Sequence, residues 1–267
     1  CFTPDFSKLS AQSVLVALGH AFFTLSLGMG AMITYGSYLK KDDNIFVSSV
    51  WITGLDTLVS VLSCLMIFPA VFAMLTHLYS ARYGIPLEKL TEQMARVSMQ
   101  SYKYGSINPK AHFYGKYADI GVEKIRNSFM VSSPLTLHDC CPFSDGASAI
   151  VLTTEEIARK LTRKPVYVIG VGQSSAGSLS SQDKYLPKIR AREVSAKQAY
   201  DMAGIKPEDV DVCELHDCFS IASLLAVESM GFFDYGKSGE AWEKGEADFG
   251  GKIVINPSGG LKAKGHP

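Results

Sequence analysis

The chain has 267 residues, which is enough for one large domain or two of ordinary size, and its 26 basic and 26 acidic residues give a formal net charge of zero. This balance gives no support for a nucleic-acid partner. The six cysteines include no Cys-x-x-Cys pair, so the sequence predicts neither a zinc ribbon nor a metal site in the C-terminal part. We expect reduced thiols there.

The first 74 residues predict a transmembrane helical hairpin. Residues 10–39 carry no formal charge, and residues 45–74 carry only Asp56. Each run is about 30 residues long, and roughly 20 are needed to span a bilayer. A short polar turn at residues 40–44 separates the runs, which is the pattern of two membrane helices joined by a charged loop. We therefore expect residues 10–74 to associate with a membrane.

Two glycines, Gly28 and Gly30, interrupt the first run and leave two interpretations open. One is close helix packing, and the other is an unwound segment whose carbonyl groups bind an ion or substrate. Asp56 favours the second interpretation, because a carboxylate within a membrane is costly and usually functional.

The segments FTPDFSKL, GHAFFTLSLGMGAMITYGSYLKKD, GLDTLVSVLS and IFPAVFA resemble the sixth and seventh transmembrane helices of the neurotransmitter:sodium symporter family. The resemblance implies that Phe23 stacks over the substrate, that Thr24 is a sodium ligand and that Ser26 lies in the unwound substrate segment. Asp56 stands where some members have a sodium-coordinating Asn. The family's site needs further helices, so the resemblance implies an inert transporter fragment, with a sodium ion bound only if that part were complete.

From residue 75 onward, helices and strands alternate, which predicts an α/β fold. Two helices are predicted around a break at residues 84–86, followed by a loop at SINPKAHF and a short helix at GVEKIRNS. DGASAIVL and PVYVIGVGQSS predict strands, with a helix between them that Thr154 caps. Then come a helix that stops at Gly204, a strand in VDVCELH, a helix in IASLLAVESMGFF and a strand in KIVINPSGG.

Two near-copies, LHDCC at residues 137–141 and LHDCF at residues 215–219, stand beside predicted strands. Four shared residues favour a chance likeness. Taken singly, His216 and Cys218 are more typical of structural residues. Their place at the carboxyl end of a strand, together with a second histidine in the segment GHP, His266, favours a site that combines a thiol and imidazoles.

The segments SINPKAHF, DCCPFSDGASAIVL, GIKPEDVDVCELHDCF and INPSGGLKAKGHP together resemble a thiolase, more narrowly the sterol-carrier-protein-type and archaeal acetoacetyl-CoA thiolases. The resemblance implies a partial α/β thiolase-like layered fold. It assigns residues 75–164 to the end of the N-terminal half with its loop region, and residues 165–267 to a C-terminal half truncated after GHP. It also implies CoA thioester substrates, no covalently bound cofactor, and a homo-oligomer for a complete thiolase.

The resemblance implies roles for three residues in cleaving a 3-oxoacyl-CoA or condensing two acyl-CoA molecules. His266 matches the histidine that activates the nucleophile and helps to form an oxyanion hole. His216 would hold an oxyanion or its water, and Cys218 would move the proton α to the thioester. Nothing in the sequence matches the family's nucleophilic cysteine, so we expect no thiolase activity from this chain alone.

The sequence therefore predicts a chimera or fragment joined near residues 72–74, and three hypotheses stay open. We favour an incomplete thiolase-type acyltransferase, cytoplasmic in its thiolase-like part, because this explains most of the chain. The alternatives are a fragment of a sodium-coupled amino-acid transporter and a membrane-tethered noncatalytic module that binds acyl-CoA. Residues 1–74 would lie in a membrane if the fusion is real.

Overall fold

The computed structural model describes residues 45–177, 182 and 184–267, and between residues 45 and 68 it describes only some of the side chains. The helices of this part of the chain are α1 (Ile45–Tyr83), α2 (Leu87–Ile107), α3 (Val122–Arg126), α4 (Glu155–Leu161), α5 (Arg190–Ala203), α6 (Ser220–Ser229), α7 (Ser238–Glu243) and α8 (Gly260–Lys264). Two short 3-10 helices cover Leu137–Asp139 and Pro207–Asp209.

The described strands form two small sheets. Strands β1 (Met130–Ser132) and β2 (Leu135–Thr136) are antiparallel, whereas β3 (Val212–Cys213) and β4 (Val254–Ile255) are parallel. Two helices, α6 and α7, lie between β3 and β4 along the chain, as a parallel pair requires a crossover connection. The predicted α/β character is present, with much shorter strands than the sequence suggests.

Helix α1 is continuous across the junction near residues 72–74, where the sequence suggests the end of one helix and the start of another. The sequence changes at this point from uniformly apolar to amphipathic. A change of side-chain polarity leaves the backbone hydrogen bonds of a helix intact. Pro69 lies inside the helix. The helix ends where predicted, before Gly84, whose φ of +64° suits glycine. The chain divides into two compact units, Cys1–Ile67 and Phe68–Pro267.

No helix in the described part of the chain is both long and apolar enough to cross a membrane. The predicted membrane helix within residues 45–74 is therefore not supported. The other predicted membrane helix, within residues 10–39, lies outside the described residues.

The core of the second unit is built around α6, in which all ten residues are buried. This helix is apolar on every face, as a central helix must be, and α2 presents its apolar side to it. The main cluster includes Tyr79, Leu90, Met94, Val97, Leu135, Ile221, Leu224, Leu225, Val227, Phe232, Trp242, Ile253 and Ile255. Both strands of the parallel pair contact this core, and this contact fixes the positions at which the following loops begin.

Two predicted strands, DGASAIVL and the apolar part of PVYVIGVGQSS, are not strands in the structure. Their side chains are largely exposed: 84% for Ile150, 86% for Val151 and 97% for Val166. An apolar run becomes a strand only when a neighbouring backbone pairs with it, and the described residues do not pair with these segments. Helix α4 follows as predicted, but the side chain of Thr154 makes no capping hydrogen bond.

Candidate active site

Two parallel strands deliver the predicted thiol and imidazole groups to one place. Strand β3 leads directly into His216 and Cys218, and β4 leads through a tight turn into α8 and His266. The rings of His216 and His266 lie edge to face, with centroids 5.1 Å apart and an interplanar angle of 80°. The predicted place of His216 and Cys218 at the carboxyl end of a strand agrees with this geometry.

The turn after β4 is held against the segment after β3 by Asn256. Its backbone N–H donates to the carbonyl oxygen of Cys213 at 2.8 Å, which extends the parallel ladder by one step. Its side-chain Oδ1 accepts the N–H of Leu215 at 2.7 Å. Asn256 has a φ of +49°, a conformation that Asn tolerates better than most residues. Asn256 therefore helps to set the spacing of the two loops that carry the histidines.

The two near-copies, which we call the paired motif (residues 137–141 and 215–219), lie side by side. Cys140 and Phe219 form an antiparallel bridge, and the N–H of Cys141 donates to the carbonyl oxygen of Cys218 at 3.0 Å. The sequence does not predict this contact, and it gives the first copy a direct part in holding the site.

The segment after the first copy also forms backbone hydrogen bonds with His266. The N–H of His266 donates to the carbonyl oxygen of Pro142 at 2.7 Å, and the N–H of Ser144 donates to the carbonyl oxygen of His266 at 2.9 Å. The Ser144 hydroxyl lies 2.6 Å from Nδ1 of His112. Residues 141–144 therefore join the Cys218 loop to the His266 loop.

Burial sets the protonation of the site. It raises the pKa of the Cys218 thiol to about 12, and the nearby Cys141 and Asp217 act in the same direction. Burial also lowers the pKa of His216, and the neighbouring His266 and Arg192 lower it further. At neutral pH the Cys218 thiol is therefore protonated and the His216 imidazole is neutral, which suits proton transfer better than attack by a thiolate.

Arg192 on α5 is a site residue that the sequence reasoning missed. Its charge opposes the rise in the pKa of Cys218, and its Nη1 atom is buried with no hydrogen-bond partner among the described residues. Burial lowers the pKa of Arg192 itself. Nothing in the local sequence marks this arginine, because α5 comes near β3 only in the folded chain.

The predicted residues of the transporter-like part are not brought into this site by anything the structure describes. Phe23, Thr24 and Ser26 lie outside the described residues, and Asp56 lies in α1 with a side chain that is not described. Their roles stay predictions. The described residues contain no group of three or more His, Cys, Asp or Glu side chains arranged to hold a metal ion.

These features describe an α/β unit in which two histidines are in contact at the ends of two parallel strands and a cysteine follows one of them. The family model "Thiolase C-terminal domain-like" matches residues 172–267, and the "Sodium:neurotransmitter symporter family" model matches residues 1–93. The C-terminal part of the chain thus resembles a thiolase, and the N-terminal part resembles a sodium symporter. The predicted double resemblance is confirmed, and the chain has the make-up of a chimera.

Individual relatives agree with the thiolase resemblance. An acetyl-CoA acetyltransferase of Methanothermobacter thermautotrophicus is 43% identical over 201 residues, covering 75% of this chain and 50% of the relative. Sterol carrier protein 2 of Oryctolagus cuniculus is 34% identical over 211 residues, covering 77% of this chain and 37% of the relative. Among solved structures, an Ltp2-ChsH2(DUF35) aldolase matches with a TM-score of 0.67 and 30% identity, covering 73% of this chain and 50% of that one. The chain spans half the length of these proteins, or less.

Proposed function

We propose that this chain is an incomplete thiolase-type acyltransferase that binds acyl-CoA thioesters and does not complete acyl transfer alone. The observation that carries the proposal is the contact between the His216 and His266 rings at the ends of two parallel strands, with Arg192 acting on both His216 and Cys218. Similarity to an acetyl-CoA acetyltransferase supports the substrate class. The missing nucleophile limits the chain to chemistry at the carbon next to the thioester.

The proposed reaction is reversible removal of a proton from that carbon. The Cys218 thiol first releases its proton to solvent, and the small thiolate fraction then takes a proton from the carbon. As this C–H bond breaks, its electron pair moves onto the thioester oxygen to form an enolate. Hydrogen bonds from His216 and His266 stabilise the negative oxygen. The thiol then returns a proton to the carbon, so no oxidant, reductant or covalent acyl-enzyme is needed.

The test follows exchange of the acetyl protons of acetyl-CoA for deuterium by NMR, with the full chain in D₂O. We expect exchange with the wild type and its loss in Cys218→Ser, because a hydroxyl is a far weaker acid than a thiol and forms too little conjugate base. The matched control is Cys213→Ser, since Cys213 is also half-buried and lies at the end of β3 just before the site. Absence of exchange in the wild type, or exchange that Cys218→Ser leaves unchanged, would overturn the proposal.

The pH profile of this exchange gives a second check. The pKa of Cys218 is raised to about 12, so the thiolate fraction grows about tenfold for each pH unit between about pH 7 and pH 9. The exchange rate should rise with the same slope and show no plateau in that range. A plateau near neutral pH would assign the proton transfer to a group other than Cys218.

Aldol cleavage is a second candidate, favoured by the match to a solved aldolase. In that reaction a base removes the hydroxyl proton of a 3-hydroxyacyl-CoA, the bond between carbons 2 and 3 breaks, and Cys218 protonates the resulting enolate. The products are a carbonyl compound and acetyl-CoA, and no acyl-enzyme forms. Release of acetaldehyde from 3-hydroxybutyryl-CoA distinguishes this candidate from simple proton exchange.

Two alternative proposals are a transporter fragment and a noncatalytic acyl-CoA-binding module. The match of residues 1–93 to the symporter model supports a transporter fragment, and a sodium ion would be its ligand. Acetyl-CoA retained by the chain without proton exchange would instead favour a noncatalytic acyl-CoA-binding module. Insertion into vesicles without any acetyl-CoA binding would favour the transporter fragment.

A further inference from the structure

Each aspartate of the paired motif anchors the start of a helix. The buried Asp139 of the first copy accepts a hydrogen bond from the hydroxyl of Ser220, the first residue of α6, at 2.5 Å. The buried Asp217 of the second copy accepts the N–H of Leu261, in the first turn of α8, at 2.6 Å. The first copy thus holds the helix that follows the second copy, and the second copy holds the helix that leads to His266.

Lys262 links helix α8 to the first copy of the paired motif. It is fully buried, and its Nζ donates to the carbonyl oxygen of His138 in the first copy at 2.7 Å. The Tyr102 ring lies 6.0 Å from Nζ, and the Tyr102 hydroxyl lies 3.0 Å from Nδ1 of His138. The carboxylates of Asp139 and Asp217 both interact favourably with the ammonium charge. A lysine is almost never fully buried unless it is paired, so these contacts are the reason it can occupy this place.

We propose that Lys262 is a positioning residue that holds helix α8 between the two copies of the paired motif and thereby fixes His266 against His216 and Cys218. Helix α8 has five residues, too few for intrinsic stability, so its placement depends on such anchors. The inference rests on the proposed function, because that function assigns the chemistry to the residues being placed.

A purely stabilising role predicts a different outcome from a positioning role. Methionine would fill much the same space as Lys262, but it would leave Asp139 and Asp217 without the ammonium charge, so Lys262→Met should also lower the free energy of unfolding. It would not donate to His138. If Lys262 positions α8, the geometry of the histidines should change in Lys262→Met at temperatures where this variant is still fully folded, whereas a purely stabilising role would leave that geometry unchanged.

The experiment uses the full chain without ligand and records NOE contacts between the ring protons of His216 and His266. We expect a clear contact in the wild type and its loss in Lys262→Met. Lys262→Gln, which keeps a hydrogen-bond donor, should restore it in part. The matched control is Lys264→Met, two residues further along α8, where the side chain is half-exposed and pairs with Glu214 at 3.5 Å across the surface. This control should keep the contact.

Acetyl-CoA proton exchange separates the two proposals. We expect exchange to fall about 10- to 100-fold in Lys262→Met, the usual effect of a displacement of about 1 Å in a site. A wild-type chain that shows no exchange, with the histidine contact still lost in Lys262→Met, would overturn the function and leave the positioning role. A histidine contact that survives in Lys262→Met would overturn the positioning role. If neither Lys262→Met nor Lys262→Gln folds, the residue is structural and the positioning role is also wrong.

Discussion

Replacement of Asp217 by asparagine should change the pH dependence of stability in a defined direction. Asp217 is fully buried, Oδ1 accepts the N–H of Leu261, and Oδ2 has no hydrogen-bond partner among the described residues. Burial raises its pKa from 3.8 to about 6, which outweighs the opposing effects of the Leu261 N–H and the Lys262 charge. Between these two pH values the native state holds a proton that the unfolded chain has released.

The difference between these two pKa values sets the direction and the size of the change in the free energy of unfolding with pH. Because the native state binds more protons in the window, the free energy of unfolding falls as the pH rises from about 4 to about 6. The two pKa values differ by about 2.2, and at about 1.4 kcal/mol per unit the loss is about 3 kcal/mol by pH 7. Asparagine keeps the acceptor for Leu261 and cannot ionise. Asp217→Asn should therefore be close to the wild type at pH 4 and more stable by up to about 3 kcal/mol at pH 7.

The assay is urea unfolding at several pH values between 4 and 7, followed by tryptophan fluorescence, to which Trp242 in the core contributes. The quantity to compare is the variant's free energy of unfolding minus that of the wild type, which cancels other titrating groups such as Glu228. Asp211→Asn is the control, because Asp211 is exposed just before β3. A difference that stays flat with pH, or that favours the wild type more at pH 7, would refute the reasoning.

Two further substitutions test the packing around the site and in the core. Gly265→Ala would place a Cβ atom 2.2 Å from the Oγ of Ser144, at a φ of +98°, so it should lose at least about 1 kcal/mol more than Gly245→Ala, where φ is +73° and the space is open. Tyr79→Phe removes a hydrogen bond to the buried carboxylate of Glu228 and should lower the free energy of unfolding by about 1–2 kcal/mol.

Both comparisons use the same unfolding assay. Equal losses for Gly265→Ala and Gly245→Ala would show that backbone strain alone explains the first, and that the contact with Ser144 relaxes freely. Tyr114→Phe is the control for Tyr79→Phe, because Tyr114 is exposed. A loss of similar size at Tyr114 would argue against a specific role for the Glu228 contact.

The parts of the site that the sequence predicts are those that depend on local order. A strand, a histidine and a cysteine follow each other directly from Val212 to Cys218, and a glycine turn leads from β4 to His266. The carboxyl ends of parallel strands meet at one edge of a sheet, so proximity of the two histidines follows from the fold class. The end of α5 is also predicted from local sequence, because Gly204 adopts the left-handed conformation that terminates the helix.

The parts that the sequence does not predict depend on distant residues. Arg192 and residues 141–144 reach the site only through tertiary packing, and the contact between the two copies of the paired motif joins positions far apart in the chain. The prediction of a strand in DGASAIVL was wrong for the same reason, because a strand forms only when a distant backbone pairs with it. Because a buried lysine is rare, no local pattern indicates that Lys262 lies inside the protein.

The unpaired segments around Ile150 and Val168 bear on how the protein behaves in solution. The first, residues 146–152, is a seven-residue apolar window with no charge and no proline, which is the composition that stacks readily into intermolecular sheets. Because the described residues do not pair with its backbone, the same segment of another molecule can. Loss of soluble protein should therefore accelerate more than linearly with concentration, so samples are best handled dilute whatever their melting temperature.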